Sequence, residues 1–120
     1  MVTTRKLQEK YGVVSASTII GESVVNREGE KLGKIHDLVI EANEGRLAYA
    51  VLSCDGKRFA MPWSVFEFSN TEHKLVLDVD KKKLSEAPGF DKNEDWPDFA
   101  DRSWGDDIHN YYGKKPYWQA

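Results

Sequence analysis

Three histidines, one cysteine, a serine at a chain corner and a run of carboxylates are the residues of this 120-residue chain that could do chemistry. Their spacing decides against it. His36, His73 and His109 fall in three separate segments without HxH or HxxxH spacing, so they make no zinc signature. His36 stands beside Asp37, but successive strand residues point to opposite faces, which places the two poorly as a base and its orienting acid. His36 therefore reads as a structural or surface histidine, His73 as part of a turn, and His109 as a residue on the polar side of a C-terminal helix. Ser64 follows Trp63 with nothing nearby to activate it. Cys54 has no CxxC partner and no neighbouring His or Lys to lower its pKa, so it reads as a small apolar filler at a strand end. Asp91, Glu94, Asp95, Asp98, Asp101, Asp106 and Asp107 lack the alternating pattern of a calcium loop and read as a solvated face. P-loop, Rossmann and GxSxG fingerprints are missing too. The sequence thus implies no enzyme, no metal and no cofactor.

Charge and length narrow the classes further. One domain with one modest core is what 120 residues support. The net charge is -3, and it is unevenly spread: residues 1–90 hold 13 acids and 13 bases, whereas residues 91–112 hold seven acids against Lys92 and Arg102. A nucleic-acid binder shows a basic stripe, so direct nucleic-acid contact is disfavoured. The one basic cluster, Lys81-Lys82-Lys83, reads as a solvated turn or a contact for an anionic partner. No apolar stretch approaches the roughly 20 residues needed to span a bilayer. Arg5 and Lys6 are not followed by an apolar run, so no secretory signal is expected and a cytoplasmic location follows. A single thiol suits a reducing compartment.

The elements that would position these residues are short strands between turn signals. Residues 19–26 read as a first strand, 31–41 as a second with a bulge or bend at Gly33, and 46–54 as a third. The third carries Leu47, Tyr49 and Val51 on one face and Ala48, Ala50 and Leu52 on the other, so it is expected to be central and covered on both sides. Asp55-Gly56 is the strongest hairpin signal, leading to Phe59 and Met61 on a shared face. Pro62 ends that strand, Trp63-Ser64-Val65-Phe66 reads as a helical corner, and two more short strands meet at a turn over residues 70–73. Six such strands favour closure into a small antiparallel β-barrel, because closure removes exposed edges.

Beyond Asp80 the character changes. Residues 81–86 read as a short helical turn stopped by Pro88-Gly89. Eight of the 14 aromatics then fall at Phe90, Trp96, Phe99, Trp104, Tyr111, Tyr112, Tyr117 and Trp118, which is too many for a disordered tail. Ser103-Trp104-Gly105-Asp106 reads as a capping box opening a helix that Gly113 ends, with Trp104, Ile108, Tyr111 and Tyr112 on its apolar face. Three parts result: a lead segment at 1–16, the barrel at 17–86, and an acidic, aromatic extension at 87–120 docked on the barrel or on a partner subunit.

Taken together, Ile20-Gly21-Glu22-Ser23-Val24-Val25, Gly29-Glu30-Lys31-Leu32-Gly33-Lys34-Ile35, Gly45-Arg46-Leu47-Ala48-Tyr49-Ala50-Val51, Phe59-Ala60-Met61-Pro62-Trp63-Ser64 and Leu75-Val76-Leu77-Asp78-Val79 resemble a PRC-barrel domain. Ala87-Pro88-Gly89-Phe90-Asp91, Trp96-Pro97, Tyr111-Tyr112-Gly113 and Pro116-Tyr117-Trp118 resemble the extension of stand-alone bacterial PRC-barrel proteins. The resemblance implies an all-β fold, a small antiparallel PRC-type barrel of about six strands with a short helical, aromatic C-terminal extension. It also implies a docking platform without chemistry of its own, as in the photosynthetic reaction centre H subunit and a ribosome maturation factor. The stand-alone members carry a loose link to stress.

The function expected on these grounds is a non-enzymatic protein-interaction or assembly module that self-associates as a homodimer, with a further protein partner unidentified. Arm exchange between two copies would cover the tail aromatics. Trp96, Trp104, Tyr111 and Trp118 are the expected contact residues, and packing on the chain's own barrel is their alternative role. Two other readings stand beside it. One is a ribosome- or RNA-associated assembly factor acting through a ribosomal protein, which rests on the resemblance alone. The other is a small-ligand carrier using the barrel mouth near Tyr49, Met61 and Trp63, although barrels this small are usually filled by their own side chains.

Overall fold

The computed structural model describes residues 13–69, 74–91 and 96–119. The lead segment through residue 12, the turn at 70–73 with His73, and the acids Glu94 and Asp95 lie outside the described residues. In chain order the elements are a helical turn α1 (Ala16–Ile19) and strands β1 (Ser23–Val25), β2 (Lys31–Glu41), β3 (Arg46–Cys54) and β4 (Lys57–Pro62). A 3-10 turn (Trp63–Val65), β5 (Phe66–Ser69), β6 (Lys74–Leu77), α2 (Lys81–Ser85), β7 (Phe90–Asp91), α3 (Arg102–Tyr112) and a second 3-10 turn (Tyr117–Gln119) follow.

The strands form one curled sheet in the order β5-β6-β1-β2-β3-β4-β7. This corrects the expected closed barrel of six antiparallel strands in three respects. Among the described residues there are seven strands, β1 and β6 pair in parallel, and the edge strands β5 and β7 do not pair with each other, so the sheet is a half-barrel. The seventh strand eluded sequence reading because two residues, Phe90 and Asp91, are too few to show a period; they add to β4 at Arg58 and Lys57. The first strand is also shorter than expected. Gly21 takes φ 90, which breaks the extended run, and Ile19 ends a helical turn instead. Asn26, nearly fully buried, then builds the turn into β2: its side-chain oxygen accepts from the backbone N–H of Glu28 at 3.1 Å and of Glu30 at 2.8 Å.

β3 lies between β2 and β4, as its two apolar faces require. Tyr49, Ala50, Val51 and Leu52 are all fully buried. One face, the inner one, shares cross-strand pairs with Ile35, Leu38, Phe59 and Met61 and joins Val24, Leu75 and Leu77 in the core. The β3–β4 hairpin turns at Asp55 (φ 50) and Gly56 (φ 83), two left-handed residues in succession as a type I′ turn demands. Register shifts along β2 between Ile35 and Asp37 and between Val39 and Ile40 bend it, which lets the sheet curl. α2 caps the hairpin end of the bowl with Leu84, and Asp80 starts it by accepting from the Lys83 N–H at 2.7 Å, which offsets three lysines at a helix start. Among the described residues no helix is long and apolar enough to cross a membrane.

Gly33 sits where β2 passes closest to β3. Its φ is 155, and a Cβ there would run into the Ser53 carbonyl oxygen and press on Leu52. Gly33→Ala is therefore expected to cost on the order of 1–3 kcal/mol or more, from strain at a glycine-only conformation plus the backbone clash. Urea unfolding followed by far-UV circular dichroism checks this, and an unchanged midpoint would contradict the close approach of Gly33 to Ser53.

Candidate interaction site: the docked aromatic arm

The outer face of β3 presents Leu47, Tyr49 and Val51, and the residues after α2 return to cover it. Pro88-Gly89 brings the chain close to β4: a Cβ on Gly89 would stand 2.9 Å from the Arg58 carbonyl oxygen and from the Phe59 ring. β7 then anchors the chain to the sheet edge. α3 starts at Asp101, whose carboxylate accepts from Ser103 N–H at 2.9 Å and Trp104 N–H at 3.4 Å. The expected cap, Ser103, instead lies inside the first turn, because Asp101 accepts from two of the four orphan donors. The helix ends as expected at Gly113 (φ 67), with the Lys114 N–H donating back to the His109 carbonyl at 2.9 Å.

The face that α3 turns to the sheet is not quite the one its large residues outline. Gly105, Ile108, His109 and Tyr112 are the buried positions, spaced i, i+3, i+4 and i+7. His109 thus corrects the expectation of a polar-side residue. It is almost fully buried, and its Nδ1 donates to the Gly105 carbonyl at 2.7 Å, so in the neutral ring Nε2 is the unprotonated nitrogen. The signal that could have placed it is Gly105. A glycine in a helix interior costs about 1 kcal/mol relative to alanine, and here it has a packing reason: a Cβ would stand 2.7 Å from the Tyr49 hydroxyl and 2.8 Å from the Trp118 ring.

Tyr49 is the hub. Its ring lies 5.1 Å from Trp104, 5.5 Å from His109 and from Tyr117, and 6.0 Å from Phe99, measured between centroids. The Trp104 and Tyr117 rings meet it edge-to-face, and pairs of that kind contribute about 0.5–1.5 kcal/mol each beyond their burial. From the hub the stack runs one way through Phe99 to Trp96, which meets His36 at 6.0 Å and Phe90 at 5.5 Å. The other way it runs through His109 to Trp118 at 5.4 Å. Guanidinium groups cover the far end, Arg46 over Tyr117 at 5.3 Å and Arg102 over Trp118 at 5.1 Å. Tyr111 ties the arm to α2 by donating its hydroxyl to the Lys83 carbonyl at 2.5 Å.

The four expected contact residues are therefore spread along one arm rather than gathered at one point. Trp104 is half-buried against Tyr49, Tyr111 and Trp118 are half-buried, and Trp96 is 43% exposed. The arm packs on its own barrel, so the arm aromatics do not need a second copy to leave water. The carrier reading of Tyr49, Met61 and Trp63 also loses its geometry, since Tyr49 and Met61 are fully buried on opposite faces of the sheet. No group of three or more His, Cys, Asp or Glu gathers among the described residues. Burial and the Asp55 carboxylate push the Cys54 thiol up, away from the thiolate a nucleophile needs.

A curled half-barrel sheet with an arm docked on its outer face belongs to the class of small β-barrel-like folds. The chain matches the PRC-barrel domain family over residues 12–84 and belongs to that family. The match stops before the arm, and no curated protein matches the chain.

Two hydroxyls buried between the arm and the sheet, those of Tyr49 and Tyr112, have no hydrogen-bond partner among the described residues. Burial pushes both pKa values well above the ordinary 10.0, helped for Tyr49 by Tyr117 and Asp106 and for Tyr112 by Tyr111. An unfolded tyrosine loses its proton near pH 10 while these two keep theirs. The stability they confer is present below pH 10 and is lost as pH rises from there toward the raised folded values, by at most about 1.4 kcal/mol per pH unit for each group. Tyr49→Phe should flatten that alkaline loss and, by removing an unpaired buried hydroxyl, add about 1 kcal/mol at neutral pH. Urea unfolding at pH 7 and at pH 11 measures both effects.

Proposed function

We propose that this protein is a non-enzymatic interaction module whose docked arm is its contact surface, and that it self-associates as a two-fold dimer. The observation that carries the reading is Trp96: a tryptophan 43% exposed, held from below by Phe90, Phe99 and His36 in a stack that continues to Tyr49. A rigidly supported, partly exposed aromatic is the usual anchor of an interface. Membership in the PRC-barrel family is compatible with this role.

Charge supports a particular arrangement. The arm is acidic around Trp96, with Asp91 and Asp98 exposed, whereas Lys81, Lys82 and Lys83 are exposed on α2. In a two-fold dimer each copy can set its arm beside the lysines of the other, which makes both contacts at once and avoids opposing two acidic arms. An arm cut off after Phe90 is a poor test, because Ile108 and Tyr112 belong to the core. Point variants are better. The full chain is expected to sediment as a dimer at micromolar concentration, to dissociate as salt is raised, and to become monomeric with Trp96→Ala while its melting curve stays near the parent's. A strict monomer at every concentration would overturn self-association.

A further inference from the structure

Where the chain leaves α2 and returns to the sheet as β7, an apolar pocket of about 120 Å³ lies between β4 and α3. Ala60 and Ile108, both buried, form its floor. Its walls are accessible: Pro88 and Gly89 are exposed, and Phe90, Pro97 and Trp104 are half-buried. The rim is acidic. Asp91 follows Phe90, Asp98 follows Pro97, and Asp101 and Asp107 stand three residues before and after Trp104, at neighbouring positions of the helix surface. All four are exposed, and none makes an ion pair with another described residue. Of the bases on β4, β7 and α3, Arg58 is engaged with the Ser53 hydroxyl at 2.8 Å and Arg102 with the Trp118 ring, which leaves Lys57.

We propose that this pocket docks a cationic, proline-containing segment of a partner protein, with one proline ring in the pocket and basic residues on either side over the acidic rim. Volume sets the anchor. Drug-sized sites run to roughly 300–1,000 Å³, and a pocket well below that takes a single side chain. The walls are two proline rings and two aromatic rings, which suit a flat, rigid apolar ring, as in grooves that bind polyproline II segments. Proline also brings no backbone N–H into a pocket whose lining side chains offer no acceptor. Charge sets the flanks: the four carboxylates attract a cationic chain through their summed field and need no fixed pairing geometry. The same charge argues against a second copy as the occupant. Its exposed ring, Trp96, stands between Asp91 and Asp98 in sequence, and these would meet the same acids on the first copy. Trp96 is not in the lining, so the site is separate from the self-association contact.

The probe is a fluorescein-labelled peptide, KKPLPKK, with KKALAKK and EEPLPEE as controls, and the readout is fluorescence anisotropy at low ionic strength. The parent chain and its Trp96→Ala variant are titrated in parallel. KKPLPKK should bind both saturably, KKALAKK about tenfold more weakly for want of the buried ring, and EEPLPEE not at all. Asp91→Asn combined with Asp98→Asn, both at exposed positions, should weaken KKPLPKK about fivefold and flatten its salt dependence. Pro88→Ala combined with Pro97→Ala should weaken it by a similar factor, with circular dichroism unchanged. Equal binding of KKALAKK, binding indifferent to both pairs of substitutions, or no saturable binding at millimolar protein would each overturn the proposal. Binding by the Trp96→Ala variant alone would assign the pocket to a second copy and overturn it as well.

Discussion

β3 is apolar on both faces, and only one face can look into the half-barrel. The inner face is satisfied within the sheet by Ile35, Phe59 and Met61. The outer face leaves Tyr49 and Val51 to be covered by something else, and burying a side chain of that size is worth roughly 1.5–3 kcal/mol. Everything after α2 serves this requirement. Gly89 allows the chain to pass close to β4, β7 fixes it to the edge, and Gly105 lets α3 come within contact of the Tyr49 hydroxyl. The arm is thus part of the fold, sharing Ile108 and Tyr112 with the core.

That constraint moves any interaction surface outward. A face covered by the chain's own helix cannot also receive a partner, so on that side of the sheet it is the far side of the arm that meets solvent. There the aromatics are supported from below and flanked by charge: Trp96 on its stack, Trp118 beneath Arg102, Tyr111 beneath the Lys83 ammonium. For two of these the rigidity comes from the hub at Tyr49, since Trp96 rests on Phe99 and Trp118 on His109 and Tyr117, rings that touch it, whereas Tyr111 rests on Tyr112 and the Lys83 carbonyl.

Much of this was legible from residue types. The alternation at 46–54 pointed to a central strand, Asp55-Gly56 to a hairpin, the 63–66 stretch to a corner and Gly113 to a helix end, because each of these rests on a local conformational requirement. What escaped has a physical reason as well. Phe90-Asp91 pairs through backbone bonds alone and leaves no side-chain period. Gly21 hid a helical turn inside an apparently extended apolar run. His109 was assigned by polarity, whereas the apolar face of α3 is set by a glycine that contributes no side chain of its own. The aromatics of the arm declared that they must be buried but not against what; Gly105 held that information.

The most direct test of the docked arm is the sign of Gly105→Ala. On a helix free of the sheet, alanine in place of an interior glycine stabilises by about 1 kcal/mol. On a helix pressed against Tyr49 the added methyl group overpacks, which costs about 1–3 kcal/mol, and Tyr49→Phe should recover part of the loss by removing the oxygen it meets. Urea unfolding of the parent, both single variants and the double variant measures the coupling. Destabilisation by Gly105→Ala with partial rescue by Tyr49→Phe is the expected result. Stabilisation by Gly105→Ala, additive with Tyr49→Phe, would contradict the docked arm.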